Sequence, residues 1–391
     1  MMVAGAMLPG CAAVMIRDGI SDPKLIADAQ VPGIPGARGW ADVVPRDIFA
    51  EVRRIAPNLP RLAQDAQRTP DGRPIVEILA LSGGGGDGAF GAGLLKGWTA
   101  RGNRPEFEVV TGVSAGAIIA PFAYLGPKYD AQLEEIWTQY QTNQLIVTQL
   151  LPGILGGASL ADTTPLQSLI EKYVDTVFLR AIAHQYKRGR LLLVLTTNLD
   201  AQRPVVWNMG EIAASRDPDA PALFRKIILA SAAIPGALPP VHIPVVAGGK
   251  AYEEMHVDGG TTREVFVSPI QAPLRDLDKL YPAPPLRRIY IIKNGKIAPE
   301  PEVVQAQTIS IAARAIFTLI KAQNHGEIYA ISRRAQDGGA DFNFIAVPES
   351  FKDKAKEFFD PPYQRKLFDE GVRLGRSGIP WMKAPPVIYG R

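Results

Sequence analysis

Three short patterns in this sequence hold side chains that could perform covalent chemistry. The strongest is GVSAG, from Gly112 to Gly116, which sets Ser114 between two glycines directly after the apolar run FEVVT. A serine on a sharp strand-to-helix turn exposes its hydroxyl at the head of the helix, where the helix dipole favours developing negative charge. Ser114 is therefore a candidate nucleophile for acyl transfer, although a tight turn with a polar helix cap would show the same five residues.

A run of glycines lies upstream, GGGGDG from Gly83 to Gly88, directly after another apolar segment. Four consecutive glycines are costly in backbone entropy, and they make sense where several N–H groups must point into one concavity. The run fits the GxGxxG pattern of a nucleotide phosphate cradle, and it also suits an oxyanion hole for the tetrahedral intermediate of acyl transfer. No Lys-Ser or Lys-Thr pair follows, which excludes a P-loop, and the nearby nucleophile favours the oxyanion hole.

The third pattern is the tripeptide Asp258-Gly259-Gly260, which follows the short run MHV. Such a tripeptide is common as a plain turn. In a catalytic interpretation, Asp258 stands at a strand end and accepts the proton of Ser114. A carboxylate is ordinarily a weak base with a pKa of about 3.9, so Asp258 would need a desolvated setting to act near neutral pH.

These patterns lie at the junctions of predicted strands and helices. Ile75–Leu81 is predicted as a buried strand before the glycine run and Ala89–Arg101 as a helix after it, while Phe107–Thr111 and Ala115–Leu125 are the strand and helix around Ser114. This alternation predicts a parallel sheet with helices packed on its faces. Further strands are predicted at Arg190–Asn198, Arg287–Ile292 and Asp341–Val347, and further helices at Asp47–Ile55, Ala222–Ala233 and Val303–Arg334.

A fourth pattern precedes the Asp258 segment. It is ASAAIP, from Ala230 to Pro235, followed by LPP from Leu238 to Pro240. Taken in this order, the four patterns resemble the patatin-like phospholipase family over roughly residues 75–270. Each pattern alone is modest evidence for the family. The four together, with both catalytic patterns at predicted strand ends, are highly specific for it.

The resemblance implies a three-layer α/β/α fold with a mostly parallel central sheet and no separate lid domain. It implies a Ser–Asp dyad, with Ser114 as nucleophile and Asp258 as base, an acyl-serine intermediate released by water, and no cofactor or metal. The substrate would be a lipid or another acyl ester, met at a membrane surface. The backbone amides of Gly83, Gly84, Gly85 and Gly86 would form the oxyanion hole, chiefly Gly84 and Gly85, with Gly88, Gly112, Gly116, Gly259 and Gly260 as supporting motif residues.

One residue departs from the family pattern. Asp87 stands where the family often has Arg or Lys, and a carboxylate cannot hold an anionic headgroup. The departure weakens the case for anionic phospholipids as substrates and favours a neutral lipid or a simple ester.

Two other functions fit parts of the sequence. An α/β-hydrolase triad needs a histidine after the acid, and His325 is the only histidine after Asp258, although it lies in the middle of a predicted helix. His256 would share a strand face with Asp258, where we expect a structural role. The other alternative is a catalytically silent lipid-binding envelope protein, against which the intact Ser114 and Asp258 argue.

Composition narrows the class of protein. Apolar residues make up 47% of the 391 and charged residues 21%, as expected for a globular protein with a sizeable core. The net charge of +4 would favour approach to an anionic membrane surface, but no dense stripe of Lys and Arg with interleaved aromatics predicts nucleic-acid binding. A single cysteine and four histidines without a metal-binding spacing predict no disulfide and no metal site.

The N-terminus predicts an anchor. The segment LPGC, from Leu8 to Cys11, resembles a bacterial lipobox, in which the cysteine is lipidated, although the basic stretch that opens a signal peptide is missing. The expected location is therefore the cell envelope, as a membrane-anchored lipoprotein, with a soluble protein as the alternative. Nothing in the sequence fixes the oligomeric state.

Four parts are expected along the chain: a signal remnant at residues 1–11, a lead-in at 12–70, a catalytic domain at 71–350 and a C-terminal helical extension at 351–391. Residues 140–165, rich in Gly, Pro and Thr, would be either a mobile cap over the site or an ordinary surface loop. The aromatic residues of the extension would pack in the core, as is usual at helical spacing, or touch a membrane; they are Phe351, Phe358, Phe359 and Phe368.

Overall fold

The computed structural model describes residues 17–44, 46–148, 161–267 and 274–387. Within them, nine strands form one mixed sheet, and two short strands form a separate ribbon. The strands are β1 (Arg38–Trp40), β2 (Ile75–Leu81), β3 (Val109–Val113), β4 (Val147–Thr148), β5 (Ala161–Asp162), β6 (Leu191–Asn198), β7 (Arg203–Asn208), β8 (Val241–Ala247), β9 (Lys250–Asp258), β10 (Leu286–Lys293) and β11 (Asp341–Ala346), of which β4 and β5 make the ribbon.

Helices lie on both faces of this sheet. They are α1 (Pro23–Asp28), α2 (Ile48–Ile55), α3 (Leu59–Asp65), α4 (Gly88–Arg101), α5 (Ala115–Leu125), α6 (Asp130–Thr138), α7 (Thr142–Leu145), α8 (Thr164–Tyr173), α9 (Thr176–Lys187), α10 (Met209–Ala214), α11 (Ala220–Ser231), α12 (Thr308–Gly338) and α13 (Pro361–Ser377). Short 3₁₀ turns follow β2 at Gly85–Asp87 and β9 at Gly259–Thr261, and a longer one spans Leu274–Leu280.

The sheet has a parallel half and an antiparallel half. Strands β6, β3, β2, β10 and β11 are neighbours in this order and run parallel. β7 and β1 continue the sheet beyond β6 with antiparallel pairings. β9 pairs antiparallel with β8 and also with the last residues of β6, from Thr196 to Asn198. The predicted mostly parallel sheet is confirmed. The β8–β9 hairpin extends this sheet, and its second strand ends at the edge where the parallel strands also end.

Alternation of side chains along β2 separates the two outer layers. Leu79 and Leu81 belong to the core cluster that α4 and α5 also build, whereas Ile78 belongs to a second cluster with Ile328 and Ile331 of α12. All seven residues of β2 are buried, as expected for a parallel strand covered on both faces. The predicted three-layer α/β/α fold is confirmed.

The C-terminal helix α13 packs closely on α4 through glycines on both helices. A Cβ atom added to Gly93 would lie 2.1 Å from the carbonyl oxygen of Phe368, and one added to Gly371 would lie 2.4 Å from that of Phe90. Side chains larger than hydrogen would therefore push the two helices apart. The predicted aromatic tail faces the protein here, since Phe368 is buried and Phe351 and Phe359 pack against the same core.

Some predicted boundaries were wrong. β3 begins at Val109 rather than at Phe107, because the ring of Phe107 packs against Trp98 with their centroids 5.8 Å apart. α12 begins at Thr308 rather than at Val303, which is 96% exposed and has no packing surface to favour a helix. The antiparallel strands β1, β7 and β8 were not predicted. Pro244 interrupts the β8 pattern and is tolerated because β8 is an edge strand.

Several predictions fall on residues outside the described ones. Cys11 is among these, and so is the middle of the proposed cap at 140–165, of which α7 and the ribbon are described. Among the described residues, no helix combines the length and apolar character needed to cross a bilayer. The four-part division of the chain stays a prediction.

Candidate active site

Ser114 lies on a strained turn between β3 and α5. Its backbone has φ 54° and ψ −120°, a conformation that residues with a side chain rarely adopt. A Cβ atom on Gly112 would lie 2.3 Å from the carbonyl oxygen of Gly116, and one on Gly116 would lie 2.3 Å from that of Leu81. The two glycines that flank the serine in the sequence are therefore required by the close approach of α5 to the strand ends.

The Ser114 hydroxyl contacts a carboxylate directly. Ser114 Oγ donates a hydrogen bond to Asp258 Oδ2 at 2.6 Å, and the Gly260 N–H donates to Asp258 Oδ1 at 2.7 Å. Strand β6 brings the pair together, since Leu195 is opposite Val113 and Thr196 is opposite Asp258. The structure thus places the two predicted residues, 144 apart in sequence, within one hydrogen bond.

Burial changes the acid strength of this carboxyl. Asp258 is 3% exposed, and its desolvation raises the pKa to about 7 although the hydrogen bonds from Ser114 and Gly260 oppose the rise. The nearby Glu264 carboxyl adds a further, smaller rise of the pKa. A base with a pKa near neutrality both stays ionised at pH 8 and attracts a proton effectively, which is the condition predicted for general-base action.

The fourth sequence pattern holds the nucleophile turn in place. Ser231 Oγ accepts a hydrogen bond from the Ser114 N–H at 3.0 Å and donates one to the carbonyl oxygen of Leu195 at 2.6 Å. Two residues later in the same pattern, the carbonyl oxygen of Ala233 accepts the N–H of Asp258 at 2.8 Å. This segment therefore links both halves of the candidate dyad.

Replacing Ser231 with alanine is expected to lower kcat about tenfold. The change leaves the buried N–H of Ser114 without an acceptor, at a cost of about 1–3 kcal/mol, while the reacting groups stay intact. The measurement is steady-state ester hydrolysis alongside thermal unfolding. Ser168→Ala, which removes a hydroxyl bonded to a carbonyl on an exposed helix, is the matched control. Equal kcat in wild type and Ser231→Ala would show that the hydrogen bond from the Ser114 N–H to Ser231 Oγ has no influence on catalysis.

The glycine run forms a loop against the nucleophile. A Cβ atom on Gly83 would lie 3.2 Å from the Ser114 Cβ. The Gly83 N–H, which the sequence predicts as one of the oxyanion donors, donates to the carbonyl oxygen of Glu264 at 3.0 Å. No backbone acceptor is found for the N–H groups of Gly84, Gly85 and Gly86 within the described part of the chain, which leaves these amides available.

Asn294, at the end of β10, shapes this loop and was not predicted. Its carbonyl oxygen would lie 1.8 Å from a Cβ atom on Gly84, where φ is 154°, so only glycine fits. Its side chain accepts the Gly91 N–H at 3.1 Å and donates to the Ser82 carbonyl oxygen at 2.8 Å. A polar residue directly after a parallel strand was the available signal, because the carboxyl ends of such strands meet at one edge.

A buried ion pair supports the loop from behind. Lys293 Nζ donates to Glu264 Oε1 at 2.8 Å, and both side chains are almost fully buried. Glu327 Oε2, on α12, accepts the N–H groups of Glu264 and Val265 at 3.0 and 3.2 Å. These residues fix the Glu264 carbonyl that holds Gly83. Their sequence positions carry no pattern that would have identified them.

The Asp87 carboxylate forms a hydrogen bond within the protein. Its Oδ1 accepts the hydroxyl of Tyr363, on α13, at 2.7 Å, and burial raises the pKa of Asp87 to about 6. The Phe358 ring lies 3.5 Å from where a Cβ atom of Gly85 would be. The segment before α13 and the helix itself therefore border the glycine loop, which the sequence did not indicate.

Neither histidine considered for a triad contacts the dyad. His256 is fully buried, with Nδ1 2.9 Å from Thr196 Oγ1 and Nε2 3.1 Å from Glu254 Oε2, and burial lowers its pKa. His325 lies within α12 without a hydrogen bond to Ser114 or Asp258. The geometry therefore favours a serine–carboxylate pair over a serine–histidine pair. The described residues contain no group of His, Cys, Asp and Glu arranged for a metal ion.

Comparison with known proteins adds an independent result. Residues 79–270 match the sequence model of the patatin-like phospholipase family. VipD from Legionella pneumophila has a TM-score of 0.38 at 11% identity, covering 80% of this chain and 69% of its own. The type III effector protein ExoU has a TM-score of 0.35 at 14% identity, covering 79% of this chain and 55% of its own. Both structural likenesses are too distant to support an inference.

A sequence comparison with curated proteins finds no match. The family match covers the nucleophile turn, the glycine loop, the Ser231 segment and Asp258, which are the parts that the geometry brings together. Membership of this family implies lipid hydrolase activity. Residues 79–270 of this chain form a patatin-like phospholipase domain.

Proposed function

We propose that this protein is a serine lipid acyl hydrolase, acting as a phospholipase A or an esterase, with Ser114 as nucleophile and Asp258 as general base. The observation that carries the proposal is the 2.6 Å hydrogen bond from Ser114 Oγ to Asp258 Oδ2 on a strained turn. The N–H groups of Gly84, Gly85 and Gly86, in the loop beside Ser114, have no backbone acceptor among the described residues and support the same proposal.

In the proposed reaction, Asp258 takes the hydroxyl proton while Ser114 Oγ bonds to the ester carbonyl carbon. The carbonyl oxygen becomes an oxyanion, which the N–H groups of Gly84 and Gly85 stabilise. The C–O bond to the alcohol then breaks, and Asp258 returns the proton to the leaving alkoxide. Water repeats the sequence on the acyl-serine, with Asp258 again as base, and releases a fatty acid.

An apolar pocket beside the dyad supports an acyl substrate. Ile118 lies in the first turn of α5, where its N–H donates to the carbonyl oxygen of Ser114 at 3.3 Å. Ile118 lines a pocket of about 40 Å³ together with Trp137, Ile170 and Phe359. A small apolar pocket one turn from the nucleophile suits the first part of an acyl chain. We further propose that the enzyme meets its substrate at a membrane surface, where such chains are presented.

The pH dependence of hydrolysis tests the proposal. Because Asp258 must be ionised to accept the proton, and its pKa is raised to about 7, kcat/KM is expected to fall about tenfold per pH unit below pH 7 and to level above it. The measurement uses a p-nitrophenyl acyl ester series and mixed phospholipid vesicles between pH 5 and 8.5. The chain-length and headgroup profiles then define the substrate.

Two results would oppose the proposal. A flat profile from pH 5 to 8 would mean that a group other than Asp258 limits the reaction. Absence of hydrolysis together with failure of a fluorophosphonate probe to label Ser114 would favour a silent lipid-binding protein. Vesicles of zwitterionic and of anionic phospholipid, assayed in parallel, also test the expectation that Asp87 gives no preference for anionic headgroups.

A further inference from the structure

A second, larger cavity lies on the opposite face of the sheet from α5. Its volume is about 220 Å³. The floor is the sheet face that carries Val76 and Val109, and the roof includes Val52 of α2, Leu59 of α3 and Leu277 of the 3₁₀ turn at Leu274–Leu280. Protein interiors rarely contain voids larger than a water molecule, so a cavity of this size needs an explanation.

The cavity leaves apolar side chains uncovered in the middle of the sheet. Val109, Leu191, Leu193 and Val206 stay partly exposed although every one of their strands is flanked on both sides. Their neighbours on the opposite face, Val110, Leu192, Val194 and Val205, are fully buried. Apolar side chains on a central sheet are normally covered on both faces, so this surface has the character of a binding site for an apolar ligand.

The cavity is elongated. Beyond β1, its lining includes residues of five adjacent strands: Val206 from β7, Leu193 from β6, Val109 from β3, Val76 from β2 and Arg287 from β10. With neighbouring strands about 4.8 Å apart, these five span about 19 Å. An apolar channel of this length fits a single extended hydrocarbon chain.

One end of the channel carries a guanidinium with one donor that has no hydrogen-bond partner among the described residues. Arg287 is 4% exposed and lines the cavity. Its Nη1 donates to Asp278 Oδ1 at 2.5 Å, whereas its Nη2 has no hydrogen-bond partner among the described residues. A buried donor without an acceptor is unfavourable, and a guanidinium presents its donors in a fork that suits carboxylates. The free Nη2 therefore favours a ligand with a carboxylate at this end.

Arg38 also borders the cavity, at the opposite end, and like Arg287 it has an Nη2 without a hydrogen-bond partner among the described residues. It pairs with Glu254 and lies 5.6 Å from the Trp207 ring centroid. Trp207 belongs to the core cluster on the α5 side of the sheet, so the Arg38 side chain is turned away from the channel. The polar end of the ligand is accordingly assigned to Arg287.

We propose that this cavity binds one long-chain fatty acid, with its carboxylate on Arg287 Nη2 and its hydrocarbon tail along the sheet. Asp278 keeps Nη1, so the guanidinium holds two carboxylates side by side. The site is separate from the dyad, which lies at the carboxyl ends of the strands. Because a fatty acid is also the product of the proposed reaction, binding is best measured in a Ser114→Ala background, which cannot form the acyl-serine.

The test is calorimetric titration of the full-length Ser114→Ala protein with palmitate, below its micelle concentration, and with methyl palmitate. Saturable palmitate binding is expected, and adding Arg287→Gln is expected to weaken it at least tenfold while leaving methyl palmitate binding unchanged. Arg288→Gln is the matched control, because the adjacent Arg288 pairs with Glu77 rather than with the cavity. An equal palmitate affinity with and without Arg287→Gln would overturn the assignment.

A second variant tests the channel itself. Val109→Phe fills the middle of the cavity and is expected to weaken palmitate at least tenfold without lowering the melting temperature of the lipid-free protein. If that variant does not fold, Leu277→Phe fills the same space from the roof. Unchanged palmitate affinity in the folded filling variant, or no saturable palmitate binding to the Ser114→Ala protein, would reject the proposal.

Discussion

Replacing Ser114 with alanine is expected to lower kcat for acyl ester hydrolysis by at least about 10⁴-fold. The change removes the atom that bonds to the acyl group, and Asp258 then has no hydroxyl to deprotonate. The fold should persist, because the backbone N–H of residue 114 keeps its bond to Ser231 Oγ. The measurement compares hydrolysis of p-nitrophenyl esters and phospholipid vesicles by the two proteins.

Covalent labelling gives the matching control. A fluorophosphonate probe should label wild type on the peptide that contains Ser114 and should leave the alanine variant unlabelled. Circular dichroism verifies that both proteins are folded. Full turnover by Ser114→Ala would show that the nucleophile assignment is wrong, and the lipid-binding interpretation would then become the better account of the strained turn.

Asp258→Asn is expected to abolish turnover and yet stabilise the protein above pH 7. The folded-state pKa is raised from 3.8 to about 7, so between these values folding takes up a proton and the free energy of unfolding falls as pH rises. At pH 8 the buried charge costs up to about 4 kcal/mol, which the neutral amide avoids. The loss of the base should lower kcat by at least about 10³-fold.

The stability effect must depend on pH. Thermal unfolding of wild type and Asp258→Asn should differ at pH 8, with the variant melting higher. The difference should be much smaller at pH 4, where the wild-type carboxyl is protonated in the folded state and only partly ionised in the unfolded state. Asp369→Asn, at an exposed position on α13, controls for the general effect of losing a carboxylate. A variant that melts lower than wild type at pH 8 would contradict the raised pKa.

A gain of stability on losing the base would show that this site holds its carboxylate in an unfavourable environment. Such an arrangement is expected where activity requires a perturbed group, and it explains why stability and activity oppose each other there. The same burial that raises the pKa of Asp258 also excludes water from the Ser114 hydroxyl.

The catalytic centre was largely predictable because its signals are local. The turn around Ser114 and the glycine loop each combine a strand, a tight turn and a helix within a few residues, and their glycines follow from close backbone contacts. The pairing of Ser114 with Asp258 was predicted only through the order of the patterns. Its physical cause is β6, which lies between β3 and β9.

The supporting residues were not predictable in this way. Asn294, Lys293 and Glu327 act on the glycine loop across 200 or more positions in sequence, through contacts such as that of Asn294 with Gly91. Single polar residues at these positions are compatible with many environments. The register of β10 with β2 brings Lys293 and Asn294 to the loop, and the packing of α12 brings Glu327. The antiparallel strands were missed for a related reason, since β1 is only three residues long and β7 and β8 each contain a proline, which leaves a weak pattern.

The glycine loop also limits how this protein can be divided. Residues 79–270 contain both reacting groups, but the carbonyl that seats Gly84 belongs to Asn294, and the carboxylate that fixes Glu264 belongs to Glu327. The aromatic ring beside Gly85 comes from Phe358, still later in the chain. A fragment or chimera cut at residues 79 and 270 would contain both reacting groups but not the residues that shape the glycine loop around them. The smallest transferable unit is the chain from β2 through α13.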